Sequence, residues 1–269
     1  NPDVIHSHMF YSNMLARFFK NSTNRIVNHY HGLSSWFNLF HKIAEKMTKK
    51  NMDYCIVTSK ASYKIRLNRE KIPKDRLKLI YNSVSIPFHY KDSHTKKRKF
   101  VFGMACRLIP LKNIKLAIDC IDSLNQINDI YSLKIAGSGP EEKNIKDYIA
   151  QKDIHDKVEL LGFLEDVDNF YRNIDGLLIT SDTEDFPMTA IEAMSYNLPI
   201  ISKDLGDISI LINEGYGLVF DENNGSFQQE INNFIIKYKV NSGTKNRDAV
   251  IKNYSIDSYV KKIISIYEK

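Results

Sequence analysis

The sequence predicts two doubly wound α/β domains with parallel sheets. Throughout the chain a short apolar run is followed by a segment of helical periodicity, which is typical of strand–helix units around a parallel sheet. The predicted strands are almost continuously apolar, which indicates sheets covered on both faces. Between the two series of units, SIPFHYKDSHTKKRK (85–99) combines turn residues, breaks in periodicity and a dense charge cluster, so we interpret it as a linker. The predicted domains are residues 1–95 and 96–250, followed by a terminal helix at 251–269.

The elements of the first domain alternate regularly. DVIHSH, NRIVNHYHG, DYCIVTS and LKLIYNSV are predicted strands, and SNMLARFFK, FHKIAEKMTKK and KASYKIRLN are predicted helices. The chain opens on NPDVIHSH, which resembles the middle of a fold, so we expect that the domain is incomplete and that its start is missing.

The second domain continues the alternation. Its predicted strands are KFVFGMAC, SLKIAGSG, KVELLGF, DGLLITS, LPIISKD and GLVF, and its predicted helices are NIKLAIDCIDSL, EEKNIKDYIAQ, DVDNFYRN and PMTAIEAMSY. From about residue 224 the tail is predicted to be mostly helical. No apolar run approaches the roughly 20 residues that a membrane-spanning helix needs.

Charge is distributed unevenly along the chain. Residues 1–99 hold 20 Lys and Arg against 6 Asp and Glu, a balance of +14, whereas residues 100–269 hold 18 against 26, a balance of −8. A basic first half is suited to an anionic membrane surface, a phosphate-bearing acceptor or nucleic acid, although a solvated basic face without a partner would give the same composition. No nucleic-acid-binding module is recognisable, which disfavours the third option.

The three cysteines, Cys55, Cys106 and Cys120, have no metal-ligand spacing and cannot all pair. We therefore expect buried thiols in a reducing compartment.

A glycine-containing turn, Gly137-Ser138-Gly139-Pro140, follows a predicted strand and precedes a helix. Glycines let a backbone approach a phosphate, and a helix start offers unpaired N–H groups to an anion. Glu142 stands where a third glycine would complete GxGxxG, which disfavours a nicotinamide or flavin site. A tight turn without a ligand would also explain the two glycines.

Two cations, Arg107 and Lys112, lie between a strand end and a helix start. Such cations could contact a diphosphate through charge-assisted hydrogen bonds, or could be solvated loop charges.

Two carboxylates, Glu184 and Glu192, occur in EDFPMTAIE. Pro187 suits the first turn of a helix, which places Glu184 in the preceding loop and Glu192 about one and a half turns inside the helix. Because the neighbours of Glu192 are apolar, we expect an otherwise unpaired carboxylate that a ligand hydroxyl satisfies.

These motifs, taken in order, resemble family 4 of the retaining glycosyltransferases, which have the GT-B fold of two facing Rossmann-like domains. The matching stretches of the donor-binding domain are CRLIPLKN, IAGSGP, VELLGFL, SDTEDFPMTAIEAMSYNLPII, KDLGDI and GYGLVF. DVIHSH, HYHG, YCIVTS and LIYNSV resemble segments of the acceptor domain, and NRDAVIKNYSIDSYVKKIISIY resembles terminal helices that pack back on it.

The resemblance implies a role for each matched residue. Arg107 and Lys112 would bind the donor diphosphate. The backbone of Gly137, Ser138 and Gly139 would lie near the nucleotide, with Gly162 and Phe163 near the base. Glu192 would bind the ribose, Glu184 and the backbone of Asp185, Phe186, Pro187 and Met188 would hold the sugar, and His31 would lie at the reacting centre. A solvated loop histidine is the alternative for His31.

The implied reaction transfers a sugar from a nucleoside-diphosphate sugar to a glycan or lipid-linked acceptor, with retention and without a metal or other cofactor. No metal cluster is evident in the sequence. UDP-sugar is the expected donor. The expected location is cytoplasmic and peripheral on the inner membrane face, reached through the basic first domain, in surface polysaccharide synthesis.

Several positions depart from the family pattern. Cys106 replaces a glycine and is expected to narrow the donor pocket, and Asp185 and Pro187 also replace glycines. Asn197 replaces a C-cap glycine, a mild exchange because Asn tolerates the left-handed conformation. Alternatives for the whole chain are an epimerase or phosphorylase on a related fold, and a binding module that performs no transfer.

Overall fold

A computed structural model describes residues 2–32, 38–90, 99–241 and 244–268. The chain divides into two compact units, residues 1–83 with 256–269, and residues 84–255. Each unit is built around a parallel β-sheet, so the predicted α/β class with two parallel-sheet domains is confirmed.

The sheet of the first unit has the order β1-β2-β3-β4, with every pair parallel. The elements of this unit are β1 (Val4–His8), α1 (Phe10–Phe18), β2 (Arg25–Tyr30), α2 (Leu39–Thr48), β3 (Tyr54–Val57), α3 (Lys60–Asn68), β4 (Leu77–Leu79) and the terminal helix α11 (Ile256–Tyr267). The strand predicted over LKLIYNSV is only three residues long.

Alternate residues of β3 point to opposite faces of this sheet, as the pleat requires. Cys55 and Val57 belong to one buried apolar cluster, whereas Ile56 belongs to another that includes Ile263 and Ile266 of α11. The terminal helix therefore covers one face of the first sheet, and both faces are buried.

The sheet of the second unit has the order β10-β9-β8-β5-β6-β7, again entirely parallel. Its elements are β5 (Phe100–Ala105), α4 (Ile114–Ile127), β6 (Tyr131–Ala136), α5 (Glu142–Lys152), β7 (Val158–Gly162), α6 (Asp168–Arg172), β8 (Gly176–Ile179), α7 (Met188–Ser195), β9 (Ile200–Lys203), α8 (Ile208–Glu214), β10 (Gly217–Phe220), α9 (Phe227–Asn241) and α10 (Lys245–Asn253). Helix α8 was not predicted. The chain leaves β5 toward β6 on one side and returns to β8 on the other, so the order of strands reverses beside β5.

The unit boundaries lie at 83/84 and 255/256, not at the predicted 95/96 and 250/251. Val84 pairs with Ser255, and its N–H donates to Tyr254 O at 3.0 Å. Arg247 donates to Pro87 O at 2.9 Å, and its guanidinium lies 4.0 Å from the centroid of the Tyr90 ring. These contacts tie residues 84–90 to the second unit. The rest of the predicted linker, residues 91–98, lies outside the described residues.

Asn197 has φ 62°, the left-handed conformation expected of it. The N–H of Leu198 donates to Ala193 O at 3.0 Å and that of Asn197 to Met194 O at 2.9 Å, which terminates α7. Among the described ranges, no helix combines the length and apolarity needed to cross a bilayer.

Candidate nucleotide-sugar site

Two loops at the carboxyl ends of β5 and β6 are locked together by hydrogen bonds. Leu108 N–H donates to Ser138 O at 2.9 Å, and Glu141 N–H donates to Leu108 O at 3.1 Å. Gly137 has φ 139°, and a Cβ there would overlap the carbonyl oxygen of Cys106. A Cβ at Gly139 would overlap the carbonyl of Leu108. Both glycines are therefore required by the close approach of the two loops.

A cavity of about 430 Å³ opens beside these loops, at the strand-order reversal of the second sheet. Five predicted site residues line it: Arg107, Gly137, Ser138, Phe163 and Glu192. The carboxyl ends of strands at such a reversal are where open α/β sheets bind ligands, and the volume is within the range of small-molecule sites.

Arg107 is the exposed cation of this cavity. Within the described residues its guanidinium has no hydrogen bond or ion pair to another side chain, so its donors are available to an anion. Phe163 is 72% exposed at the same cavity and offers an aromatic face. Gly162, which precedes it, has φ 71° and accepts a hydrogen bond from Gly137 N–H at 2.7 Å.

Glu192 has a protein partner that the sequence did not reveal. The hydroxyl of Tyr171 donates to Glu192 Oε2 at 2.6 Å. Burial and then the Glu192 charge raise the pKa of Tyr171 well above its usual value, so the phenol stays a donor. The expectation that Glu192 lacks a protein partner is therefore wrong. Across the described chain, Oε1 has no protein hydrogen bond, and this oxygen remains for a ligand.

The orientation of Tyr171 is fixed by a second tyrosine. Its ring stacks on that of Tyr196, with centroids 5.1 Å apart, and the Tyr196 hydroxyl donates to Asp168 Oδ1 at 2.9 Å. Because Asp168 and Tyr171 belong to α6, and Glu192 to α7, the carboxylate is positioned by packing between the two helices.

Lys112 and Glu184 form an ion pair, with Nζ 2.5 Å from Oε1. The Ser181 hydroxyl donates to the same oxygen at 2.8 Å. Both charged side chains are largely shielded from solvent, Lys112 being 20% and Glu184 17% exposed. The Thr180 hydroxyl donates to Lys112 O at 3.1 Å, so the loop after β8 is also held against the backbone of Lys112.

Cys106 belongs to the cavity, whereas Lys112 and Glu184 are not among the residues that line it. Burial raises the pKa of the Cys106 thiol to about 11, with Lys112 opposing and Glu184 adding to the shift. It therefore remains a neutral thiol at physiological pH. Cys55 and Cys120 are buried, and all three cysteines are free thiols.

The backbone at Glu184 and Asp185 rests on Gly206, which has φ 50°. A Cβ on Gly206 would lie 2.5 Å from the carbonyl oxygens of both residues. Phe186 is buried, with its ring 5.8 Å from that of Tyr254, and this anchors the loop. Pro187 is the N-cap residue of α7, one position before the predicted first turn, and Met188 begins the helix.

His31 lies in the first unit, not among the cavity residues. Its Nε2 is 2.8 Å from Nδ1 of His8, and its ring stacks on His29 at 4.1 Å. Burial, followed by the charge of His8, lowers the pKa of His31. The sequence showed no histidine cluster, but His6, His8 and His29 converge here with one ligand nitrogen each, all within 4.8 Å of one another.

Comparison with known protein families finds a matching family model for each part of the chain. The model of the glycosyl transferases group 1 family matches residues 86–253, more than half of the chain. The chain belongs to this family. The model described as Glycosyltransferase Family 4 matches residues 1–86. The chain is thus a family 4-type member with the GT-B class of fold.

Curated glycosyltransferases match the chain over more than 200 residues. MJ1178 of Methanocaldococcus jannaschii, described as an uncharacterized glycosyltransferase, is 26% identical over 232 residues, which cover 83% of the chain and 62% of the relative. The lipopolysaccharide 1,6-galactosyltransferase of Salmonella typhimurium is 28% identical over 211 residues, covering 76% and 56%. The chain therefore spans less than two thirds of the length of these relatives.

Two solved structures share the fold. HepE of Anabaena in complex with UDP superimposes with a TM-score of 0.83 at 19% identity, covering 99% of the chain and 78% of HepE. The lipopolysaccharide outer core galactosyltransferase WaaB superimposes with a TM-score of 0.75 at 24% identity, covering 99% and 75%. All cavity residues fall within the group 1 match, and His31 falls within the Family 4 match.

Proposed function

We propose that this chain is part of a retaining glycosyltransferase that moves a sugar from a nucleoside-diphosphate sugar to a glycan or lipid-linked acceptor. The observation that carries the proposal is a cavity of about 430 Å³ lined by both Arg107 and Glu192. Among the described residues, the guanidinium of Arg107 has no side-chain partner and the carboxylate of Glu192 has one on a single oxygen. A cation and a carboxylate acceptor in one cavity match the two polar parts of a nucleoside diphosphate, its phosphates and its ribose hydroxyls.

Each part of the donor has a counterpart in this proposal. Arg107 binds the diphosphate, Glu192 Oε1 accepts from a ribose hydroxyl, and Phe163 packs on the base. The Lys112–Glu184 pair contacts the diphosphate and the sugar, with Lys112 shared between Glu184 and the phosphate. UDP is the proposed nucleotide, since the HepE structure of the same fold contains UDP.

The chemical step consists of one bond broken and one formed at the anomeric carbon. The bond from this carbon to the diphosphate oxygen breaks, and the acceptor hydroxyl attacks from the face that the diphosphate leaves. Its proton passes to the departing diphosphate or to solvent. The positive charge of Arg107 and Lys112 stabilises the leaving group, so positioning and electrostatics supply the catalysis. His31 of the first unit is proposed to act on the acceptor side.

Surface polysaccharide synthesis is the proposed context. The relatives include the lipopolysaccharide 1,6-galactosyltransferase, the O-antigen biosynthesis glycosyltransferase WclY of Escherichia coli and the amylovoran biosynthesis glycosyltransferase AmsD of Erwinia amylovora. These names support a glycan or lipid-linked acceptor.

The test combines binding with turnover. A thermal-shift panel of UDP, GDP, ADP and their sugars should show stabilisation by about 2.7 kcal/mol at 100 times the dissociation constant of the bound nucleotide. Incubation with the matching nucleotide sugar and a lipid-linked glycan should yield the extended glycan by mass spectrometry, with the anomeric configuration retained. If the nucleotide sugar is isomerised in the absence of an acceptor, the result would favour an epimerase. If the nucleotide binds tightly but no sugar is transferred, the result would favour a binding module.

Arg107→Met is expected to weaken UDP binding without affecting the fold. A lost hydrogen bond to a charged group costs about 1.5–3 kcal/mol, or roughly 10- to 150-fold in affinity. Because the guanidinium has no protein ion pair among the described residues, the melting temperature of the ligand-free variant should match that of the wild type. Calorimetric titration measures the affinity, and Lys143→Met, an exposed cation on α5, is the control. Equal affinities in all three proteins would remove Arg107 from the site.

We further propose that the first unit contacts an anionic membrane through helices α1 and α2. These two helices are adjacent, and each exposes a stripe of apolar side chains. On α1 the exposed positions follow the spacing i, i+4, i+7, and on α2 they recur every four residues. The residues, 48–72% exposed, are Tyr11, Leu15, Phe18, Leu39, Phe40, Ile43 and Met47. Lys42 and Lys46 are exposed on the same α2 helix. A contiguous apolar surface bordered by lysines is typical of interfacial binding to anionic lipid.

The double variant Phe18→Ser/Phe40→Ser should reduce binding to vesicles containing anionic lipid at least ten-fold, because burying one phenylalanine contributes about 1.5–3 kcal/mol. Co-sedimentation with phosphatidylglycerol vesicles measures the bound fraction, with phosphatidylcholine vesicles for comparison. Phe88→Ser is the control, because Phe88 is 88% exposed in the other unit. Equal binding to phosphatidylglycerol and phosphatidylcholine vesicles would rule out this membrane surface. Undiminished binding by the double variant would rule it out as well.

A further inference from the structure

Four histidines lie together on the first sheet. His6 and His8 alternate along β1 and therefore share one face, and His29 of β2 is the register partner of His8. His31 follows β2 by one residue. The rings stack on one another, with the shortest centroid distances 4.6 Å between His6 and His8 and 4.1 Å between His29 and His31. The pattern HSH in one strand and HYH at the end of the next produces this cluster once the two strands pair in register.

Three buried ring nitrogens of the cluster have no hydrogen-bond partner among the described residues. His29 is fully buried, and neither of its ring nitrogens has a hydrogen-bond partner among the described residues. The Nε2 atom of His6 is also buried without one. Buried polar atoms are almost always satisfied in folded proteins, because each unsatisfied atom is costly. These nitrogens therefore point to a ligand that the protein alone does not supply.

The Nδ1 atoms of His6 and His8 are already held in place. Nδ1 of His6 lies 2.5 Å from the Tyr267 hydroxyl, and Nδ1 of His8 lies 2.8 Å from Nε2 of His31. Outer partners of this kind orient metal-binding histidines and fix which nitrogen carries the proton. When each Nδ1–H donates outward, the Nε2 lone pairs of His6 and His8 are left for an ion.

We propose that His6, His8 and His29 form a binding site for a divalent transition metal, with Zn²⁺ as the preferred ion. Their ligand nitrogens all lie within 4.8 Å of one another. Three nitrogens on one tetrahedral zinc ion at 2.0–2.1 Å would be about 3.4 Å apart, a distance that small side-chain rotations reach. An all-imidazole ligand set suits zinc, copper or nickel and not magnesium or calcium, which take oxygen ligands.

The environment suits such an ion. His8 is exposed, so an ion has access from solvent, whereas His29 provides a buried anchor. The fourth position of the ion is open to water, because His31 Nε2 is the outer partner of His8 Nδ1 in this arrangement. The bound ion would join β1 to β2 and satisfy the unpartnered nitrogens.

The test is titration of the chelator-treated chain with Zn²⁺ and with Co²⁺. Calorimetry should give one Zn²⁺ per chain, and Co²⁺ should develop the visible absorption of a four-coordinate nitrogen site. His8→Gln is expected to weaken Zn²⁺ binding at least ten-fold and to lose the cobalt absorption. Because His8 is exposed, this variant should fold. His155→Gln, at an exposed histidine of the second unit, is the matched control and should bind as the wild type does.

Two results of the titrations of wild type and His8→Gln would overturn the site. One is no stoichiometric binding by the wild-type chain, which would leave a stack of neutral imidazoles without an ion. The other is equal affinity in wild type and His8→Gln, which would place any bound ion elsewhere. A His29→Asn variant that folds should lose binding as His8→Gln does, and retention would also count against the site. Because the readout involves no nucleotide, its outcome is independent of the proposed glycosyltransferase activity.

Discussion

Replacing Gly137 by alanine is expected to destabilise the second unit by about 2–5 kcal/mol. Two costs combine: overpacking contributes about 1–3 kcal/mol, and a side chain at a strongly positive φ about 1–2 kcal/mol. The added Cβ would overlap the Cys106 carbonyl oxygen, and this is backbone that cannot rotate away. Because Gly137 also lines the cavity, the shift of the two loops should reduce nucleotide binding as well.

The measurement for Gly137→Ala is chemical denaturation followed by circular dichroism. Gly225→Ala is the matched control, since a Cβ at Gly225 would meet nothing within 4 Å and should change stability little. Equal unfolding free energies for the two variants would show that the loops after β5 and β6 are not locked as described.

Lys112→Met is expected to reduce the rate of sugar transfer by about 10²- to 10³-fold. Removal of one preformed group that stabilises developing charge typically costs this much. In the proposed mechanism Lys112 acts on the leaving diphosphate, so the loss should fall mainly on kcat, with a smaller change in KM for the donor. The substitution also leaves Glu184, 17% exposed, without its cation, so some loss of stability is expected.

Steady-state kinetics with the nucleotide sugar tests the role of Lys112. Lys146→Met is the control, because Lys146 forms an exposed ion pair with Glu142 at 2.6 Å on α5, outside the cavity. A kcat for Lys112→Met within a few-fold of the control would assign the Lys112–Glu184 pair to structure alone.

Much of the architecture could be predicted because its signals are local. The buried strands are apolar runs, and helices such as α4 repeat their buried positions with helical spacing over several turns. Helix α8 escaped prediction because it has only seven residues, too few to establish a period. The unit boundary was displaced because the contacts that retain residues 84–90, from Tyr254, Ser255 and Arg247, come from far along the chain.

The sequence predicts those residues of the candidate site that belong to recognisable motifs. The resemblance indicated Arg107, Lys112, Glu184 and Glu192. The structure brings Arg107 and Glu192 to one cavity, whereas Lys112 and Glu184 form an ion pair with each other and are not among the residues that line it. Their roles remain predictions. Tyr171 could not be predicted as the partner of Glu192, because nothing in its sequence neighbourhood distinguishes it from other core aromatics. The histidine cluster depends on strand register, which two separate short motifs do not specify.

The central claim is that the cavity beside Gly137 binds a nucleoside diphosphate, with Glu192 on the ribose. Calorimetric titration of UDP into wild type and Glu192→Ala tests it most directly, with Glu230→Ala, an exposed glutamate of α9, as the control. Loss of the hydrogen bond from a ribose hydroxyl to Glu192 Oε1 should weaken binding by about 1.5–3 kcal/mol, roughly 10- to 150-fold. We predict the same UDP affinity for wild type and Glu230→Ala and an affinity at least ten-fold lower for Glu192→Ala. Unaltered UDP affinity in a folded Glu192→Ala protein would contradict the claim.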